Sequence, residues 1–408
     1  MLIVVALFLV AALTFADGVL APIRTARTLA LAQSCEATLL RVLREGFVSS
    51  ERDLLRVARE LDASRAAGAI DADQRPLLGV PVCCLSIDGG VTGSALESHG
   101  ALVLTQFSAD EALDLRNPRD AGFLLSTDGF SDVDRAVAAV AAGKIACAVI
   151  QPSSSIIPLS VSWSGLTALS LPASDQARSR GSVLCGCCVD DVVTLRDCLR
   201  PGYEKSDTVK SLKGLRLAYC SSESAIYEGP VDPYVAAAVE VAVEVLRGMG
   251  AECLRVSSLD EKLSLPEGCV ALLTPHAPSA AAVVGDRSFE LPRERRATTD
   301  RLTSRTVISL PAGVVAGEDD GYDSSLNELH HMEGLPVGFL IVSSSSSAES
   351  AADAALIARS FEMATRWSSE LLNAGRSREE AKADLDDARE LFGIFFPTTL
   401  LKYVGKRR

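Results

Sequence analysis

The feature that most restricts the fold of this chain is an alternation of two periods. Short apolar runs bounded by Gly or Pro exchange places with segments whose apolar residues recur every three or four positions. Residues 76–90, PLLGVPVCCLSIDGG, read as a buried strand that runs into a glycine turn, with Val80, Val82, Cys83, Cys84, Leu85 and Ile87 as its apolar residues. Further strands are predicted over 100–106, 146–150, 213–222 and 251–258. Helices are predicted over Ala26–Glu45, Ser49–Ala67, 132–143, 231–253 and 347–367. Asp132 and Asp232 supply caps, Pro233 suits a first helical position, and Gly143 and Gly250 supply stops. The serine run 343–347 is a loop closely flanked by strand and helix patterns. Such alternation predicts an α/β fold with a central mixed β-sheet covered by helices.

The N-terminus departs from this pattern. Residues 1–16, MLIVVALFLVAALTFA, carry no charge and then meet Asp17 and Gly18, with Pro22 beyond. As a helix this run spans roughly 24 Å, short of a hydrocarbon core of ~30 Å unless it extends through residue 23. It reads as an N-terminal hydrophobic anchor helix over 1–23, as an apolar helix docked on a partner, or as a signal peptide cleaved after Thr14 and Ala16. The absence of a basic stretch before the run weighs against the last reading. Arg24 and Arg27 favour that side facing the more negative compartment. The predicted organisation is therefore an anchor at 1–23, an α/β domain over 24–370, and a C-terminal helix with an apolar-basic tail over 371–408. That tail, LFGIFFPTTLLKYVGKRR, suits a membrane surface or a partner groove, and equally an ordinary frayed terminus.

A net charge of −13 and the lack of a basic stripe with interleaved aromatics argue against a nucleic-acid partner. Eleven cysteines are scattered without a disulfide-like framework. The densest group, Cys185, Cys187 and Cys188, has no second pair at metal spacing, and His99, His276, His330 and His331 do not complete it. Buried structural thiols are expected, with no metal and no cofactor.

Several separated stretches then resemble the amidase-signature family. PLLGVPV (76–82) resembles the strand that leads to its catalytic lysine. RNPRD (116–120), AAVAAG (138–143) and SSSIIPLSVSWSGLTAL (153–169) follow the order of its serine- and glycine-rich core. SLPAGVV (309–315) and GLPVGFLIVSS (334–344) are similar to its C-terminal sheet strands, and the strand and helix over 212–253 match its post-signature unit. The resemblance covers roughly residues 30–367, with a segment around 255–305 that is shorter than the family's insert. It implies hydrolysis of an amide by a serine nucleophile. A bridging serine and a neutral lysine relay the proton, and backbone N–H groups hold the oxyanion.

Each of those requirements fails at the matching position. The lysine position is Leu85, followed by Ser86, and the first lysine of the chain is Lys144. The bridging serine falls on Asp132, in FSDVDRA, which holds no glycine. The nucleophile matches Ser155, or Ser153 when counted back from Gly165, in a turn that carries Pro152 in place of the family's acid and glycines. Proline lacks an N–H that an oxyanion could use. An acid–base relay contributes roughly 10²–10⁴ in rate and oxyanion donors roughly 10²–10³, so loss of both leaves no useful amidase.

The expectation is a catalytically inactive amidase-like protein. It would serve as an accessory subunit of a membrane-bound complex, with other protein subunits and membrane lipid as partners and a mitochondrial inner membrane as the location. Two other readings stay open: an active, membrane-anchored amidase of lipid amides using Ser153 or Ser155, and a non-catalytic module that binds a lipid or small amide.

Overall fold

Ten short strands supply the frame: β1 (Pro81–Leu85), β2 (Leu102–Leu104), β3 (Cys147–Ile150), β4 (Thr167–Ser170), β5 (Val183–Gly186), β6 (Arg216–Tyr219), β7 (Glu252–Arg255), β8 (Cys269–Pro275), β9 (Val307–Val314) and β10 (Pro336–Ser343). The computed structural model describes residues 26–44, 51–69, 75–85, 89–104, 136–137, 139–140, 145–150, 166–171, 182–200, 212–224, 231, 233–259, 263–276, 302, 305–314 and 336–365. The strands form one mixed sheet in the order β2-β1-β3-β5-β4-β9-β10-β8-β6-β7. β1 is parallel to β2 and β3, and β6 is parallel to β7 and β8; the pairings between these two groups are antiparallel.

Both faces are covered, so successive strand residues enter different cores. In β1, Val82 and Cys84 join one core and Cys83 the other; in β3, Cys147 and Val149 divide from Ala148 and Ile150 in the same way. The first core is closed by helices α5 (Val189–Leu199), α6 (Pro233–Gly248) and α7 (Ala348–Thr365). Phe339 of β10 meets Phe361 of α7 edge-on, with ring centroids 4.9 Å apart. The second core takes Cys35, Leu39 and Val42 of α2 (Cys35–Arg44) and Ala58 of α3 (Glu51–Ala66). Helix α1 (Ala26–Ala32) precedes these, and α4 (Gly89–Ser98) follows β1.

The glycine of the GLPVGF stretch is dictated by close packing. Gly338 sits where the β9–β10 register shifts, and a Cβ there would lie 1.9 Å from the Leu310 carbonyl oxygen. Gly79 has φ +72°, and a Cβ on it would lie 2.5 Å from Cys35 Sγ, so α2 closes on the residue that leads into β1.

One sequence expectation needs correction. The single helix expected over Ala26–Glu45 is two helices, α1 and α2. Ser34 Oγ accepts the Ala37 N–H at 3.1 Å, and the Asp62 carboxylate accepts the Cys35 and Glu36 N–H groups at 2.8 and 3.0 Å. Those acceptors satisfy the donors that a break exposes, so apolar periodicity runs across it unmarked. The segment around 255–305, expected to be shorter than the family's insert, contains β8, an interior strand of the sheet. Strands β1, β2, β3, β6, β7 and β10 and helices α3, α6 and α7 fall within the predicted segments, β9 overlaps its own, and β4, β5, α4 and α5 have no predicted counterpart. Helix α6 ends at Gly248, with Gly250 at φ +99° just beyond. No helix among the described residues is long and apolar enough to cross a membrane. The hydrophobic anchor helix expected at 1–23 and the tail at 371–408 lie outside the described residues.

Candidate functional site

The position expected to carry the proton acceptor is the last residue of β1. Leu85 lies there, partly buried, in register with Ile150 at the end of the parallel strand β3. The sequence that follows Ile150 contains Ser153 and Ser155, so the fold starts that segment from the strand end beside Leu85. Asp132, Ser153 and Ser155 themselves, like Ser86, lie outside the described residues. An isobutyl side chain can neither accept nor donate a proton. The titratable side chains on β1, β3 and β5 are thiols, and burial makes them poor bases or nucleophiles. Desolvation pushes Cys84 up to about 11 and also raises Cys185 and Cys147, Cys147 feeling the Asp191 carboxylate as well.

His276 is the one histidine among the described residues that is wholly buried, and its place separates it from Leu85. It follows β8, whose end aligns with the start of β10, whereas Leu85 lies on β1, next to the edge strand β2 in the other half of the sheet. The two strands are six spacings apart, roughly 29 Å. His276 therefore cannot stand in for the missing lysine at the end of β1. Its Nδ1 lies 2.5 Å from the Gly338 carbonyl oxygen and 3.2 Å from the Gly338 nitrogen. Burial lowers its pKa to about 4 against the opposing effect of the Gly338 hydrogen bond, so the ring is neutral near pH 7. His99 is only partly buried, and His330 and His331 lie outside the described residues.

Cys185, Cys187 and Cys188 surround the junction of β5 and α5 and are buried; all eleven cysteines are free thiols, and ten of them are buried. Among the described residues no group of three His, Cys, Asp or Glu side chains is placed to hold a metal ion.

A polar cluster that sequence reasoning missed lies next to those thiols, at the start of α5. Arg27 of α1 donates to the fully buried Asp191 at 2.6 Å, and Arg359 of α7 donates to Asp190 at 2.6 Å. The Glu362 carboxylate accepts the Val189 N–H through both oxygens, at 3.1 and 3.0 Å, at the positive end of the α5 dipole. The sequence held two signals of this arrangement: paired acids after the cysteines, and Arg359 and Glu362 one turn apart in a mostly apolar helix. Each carboxylate has a cation or a helix N–H beside it. The cluster therefore clamps α1, α5 and α7 together and presents no poised general base.

The chain is similar in structure to a bacterial aryl acylamidase of the amidase signature family, at 14% identity and a TM-score of 0.59, over 87% of this chain and 99% of that one. It is also similar to the peptide amidase of Stenotrophomonas maltophilia (15% identity, TM-score 0.56, 84% and 97% of the two chains). A fatty acid amide hydrolase matches at 15% identity and a TM-score of 0.57, over 86% and 85%. No model of a known protein family matches the sequence, and no curated protein is similar to it in sequence. At these identities the likeness establishes the fold alone, which is that of the amidase-signature enzymes.

Proposed function

We propose that this chain is a catalytically inactive protein on the amidase-signature fold, an accessory subunit of a membrane-bound complex. The observation that carries the reading is Leu85. The fold provides a strand end beside the start of the serine-bearing segment, and the side chain there cannot take part in a proton relay. The sequence supports the same conclusion at Asp132, where a bridging serine is lacking, and at Pro152, where the acid-glycine turn is lost. The apolar segment 1–23 provides attachment to lipid or to a neighbouring subunit, and a mitochondrial inner membrane is the location we favour. Free, buried thiols throughout suit a reducing interior better than an oxidising exterior.

The test of inactivity is an active-site-directed fluorophosphonate on the full-length chain. No labelling of Ser153 or Ser155 is expected; labelling that disappears in a Ser155→Ala or Ser153→Ala variant would establish a working nucleophile and overturn the reading. The test of assembly is native-gel migration in mild detergent with and without residues 2–20. Loss of the truncated chain from both membranes and complex is expected, and unchanged sedimentation and co-migration would refute the anchor.

A further inference from the structure

We propose that β7 is a docking edge for a second copy of this chain, the two copies joining by antiparallel self-pairing of Glu252–Arg255. The two ends of the sheet are finished differently. At one end β2 is wholly buried, with α3 packed beside it. At the other end β7 stays open: Glu252 and Arg255 are exposed, and Cys253 and Leu254 are half-buried.

The pairing with β6 decides which backbone groups are left over. The Glu252 N–H donates to the Leu215 carbonyl and the Val256 N–H to the Tyr219 carbonyl, both at 2.9 Å, in a parallel register. Alternate residues of such a strand turn to the same neighbour, so Cys253 and Arg255 point their N–H and C=O groups outward. Among the described residues, one of these four groups has a partner: the Cys253 carbonyl accepts Arg247 Nη2 at 3.1 Å. Two donors and one acceptor remain in a row. An exposed row of this kind is a template for a further strand.

Two features select a second copy as that strand. The outward groups set the register: Cys253 of each copy exchanges N–H···O bonds with Arg255 of the other, and a two-fold axis passes between the two Leu254 residues. Leu254 and Val256 are the open flank of a core built on Ala218, Leu272, Leu340 and Val342. The meeting of two Leu254 side chains continues that core across the axis. In addition, β7 begins with an acid and ends with a base, so antiparallel pairing sets the acidic end of each strand beside the basic end of the other. Arg216 holds Glu252 only by an exposed ion pair of 3.2 Å, which leaves the carboxylate open to a second cation. Four residues a side make a small interface, so the dimer is a dissociable one. The inference stands apart from the proposed accessory role, because it needs neither catalytic inactivity nor a membrane anchor.

The test uses the full-length chain in mild detergent. In a Cys253→Ser background, Leu254→Cys places two thiols on the axis, where facing residues lie about 4.5 Å apart at Cα, within reach of a disulfide. Glu252→Cys in the same background is the control, because the register sets its two copies roughly 14 Å apart. Air oxidation with a copper–phenanthroline catalyst is expected to link Leu254→Cys into a dimer and to leave Glu252→Cys unlinked. Sedimentation velocity of the wild type is expected to show a monomer–dimer equilibrium. It should be weakened at least tenfold in Arg255→Pro, which removes one outward N–H and none that β6 uses. If Arg255→Pro does not fold, Arg255→Glu, which keeps the backbone donors and reverses the basic end, carries the comparison. Self-association through residues 1–23 would be the same in all these variants. A wild type that is monomeric at every concentration, or cross-linking of Leu254→Cys no greater than that of Glu252→Cys, or a dimer unaffected by substitution of Arg255, overturns the proposal.

Discussion

Lowering the pH from 7 to 4 should destabilise the fold through His276. The ring is fully buried between the end of β8 and Gly338, and its pKa falls from 6.5 to about 4. The unfolded chain therefore takes up this proton first as pH drops. Stability from this group is complete above about 6.5 and is lost progressively as the pH approaches 4. A difference of 6.5 against about 4, at 1.36 kcal/mol for each pH unit, gives about 3 kcal/mol. That is a large share of a typical folding free energy. Other acids titrate in the same range, so the measurement is a difference. Urea unfolding of the wild type and of His276→Asn is followed at intervals between pH 7 and 4. Asn places an amide near the Nδ1 position facing Gly338 and cannot take up a proton. The wild type should lose about 3 kcal/mol more than the variant across this range. Parallel pH profiles for the two proteins would refute the reasoning, because they would show that the ring stays accessible to a proton in the folded state.

Three further outcomes follow from packing and burial. Gly338→Ala should cost at least about 3 kcal/mol in denaturant unfolding, because the new methyl meets the backbone oxygen of Leu310 rather than a side chain that can turn away; a loss below 1 kcal/mol would show that β9 and β10 separate there easily. Arg27→Ala removes the cation facing the buried Asp191 and should cost about 3 kcal/mol, with Asp191→Asn recovering part of it in the double variant; equal stability of the two proteins would show that the pair does not hold α1. Under native conditions at pH 8, iodoacetamide should modify Cys253 first, since it is the most exposed of the cysteines; early modification of Cys185 or Cys188, mapped by mass spectrometry, would contradict their burial.

The accessory role proposed above would use the amidase-signature fold for its surface. A sheet of ten strands with helices on both faces needs no proton relay to hold it together. The interior instead depends on apolar strands, on the Gly338 contact, and on the ion pairs that fasten α1 and α7 to α5. Loss of chemistry and retention of fold are therefore compatible in physical terms.

The sequence by itself determined the kinds of element and most of their places. Alternation of strand and helix periods is a local property, set by which side chains must face apolar surroundings, and it located β1, β3, β6, β7, α3, α6 and α7. It also determined that Leu85 carries no proton, since chemical identity needs no coordinates. The order of the strands was a tertiary decision. Nothing local tells Cys269–Pro275 to lie between β6 and β10, because that placement depends on the fit of whole faces against α6 and α7. The break at Ser34 was likewise decided at a distance, by the carboxylate of Asp62 on another helix. The neutral His276 belongs to the same class, since desolvation is a property of what surrounds a side chain and is written nowhere in its own segment.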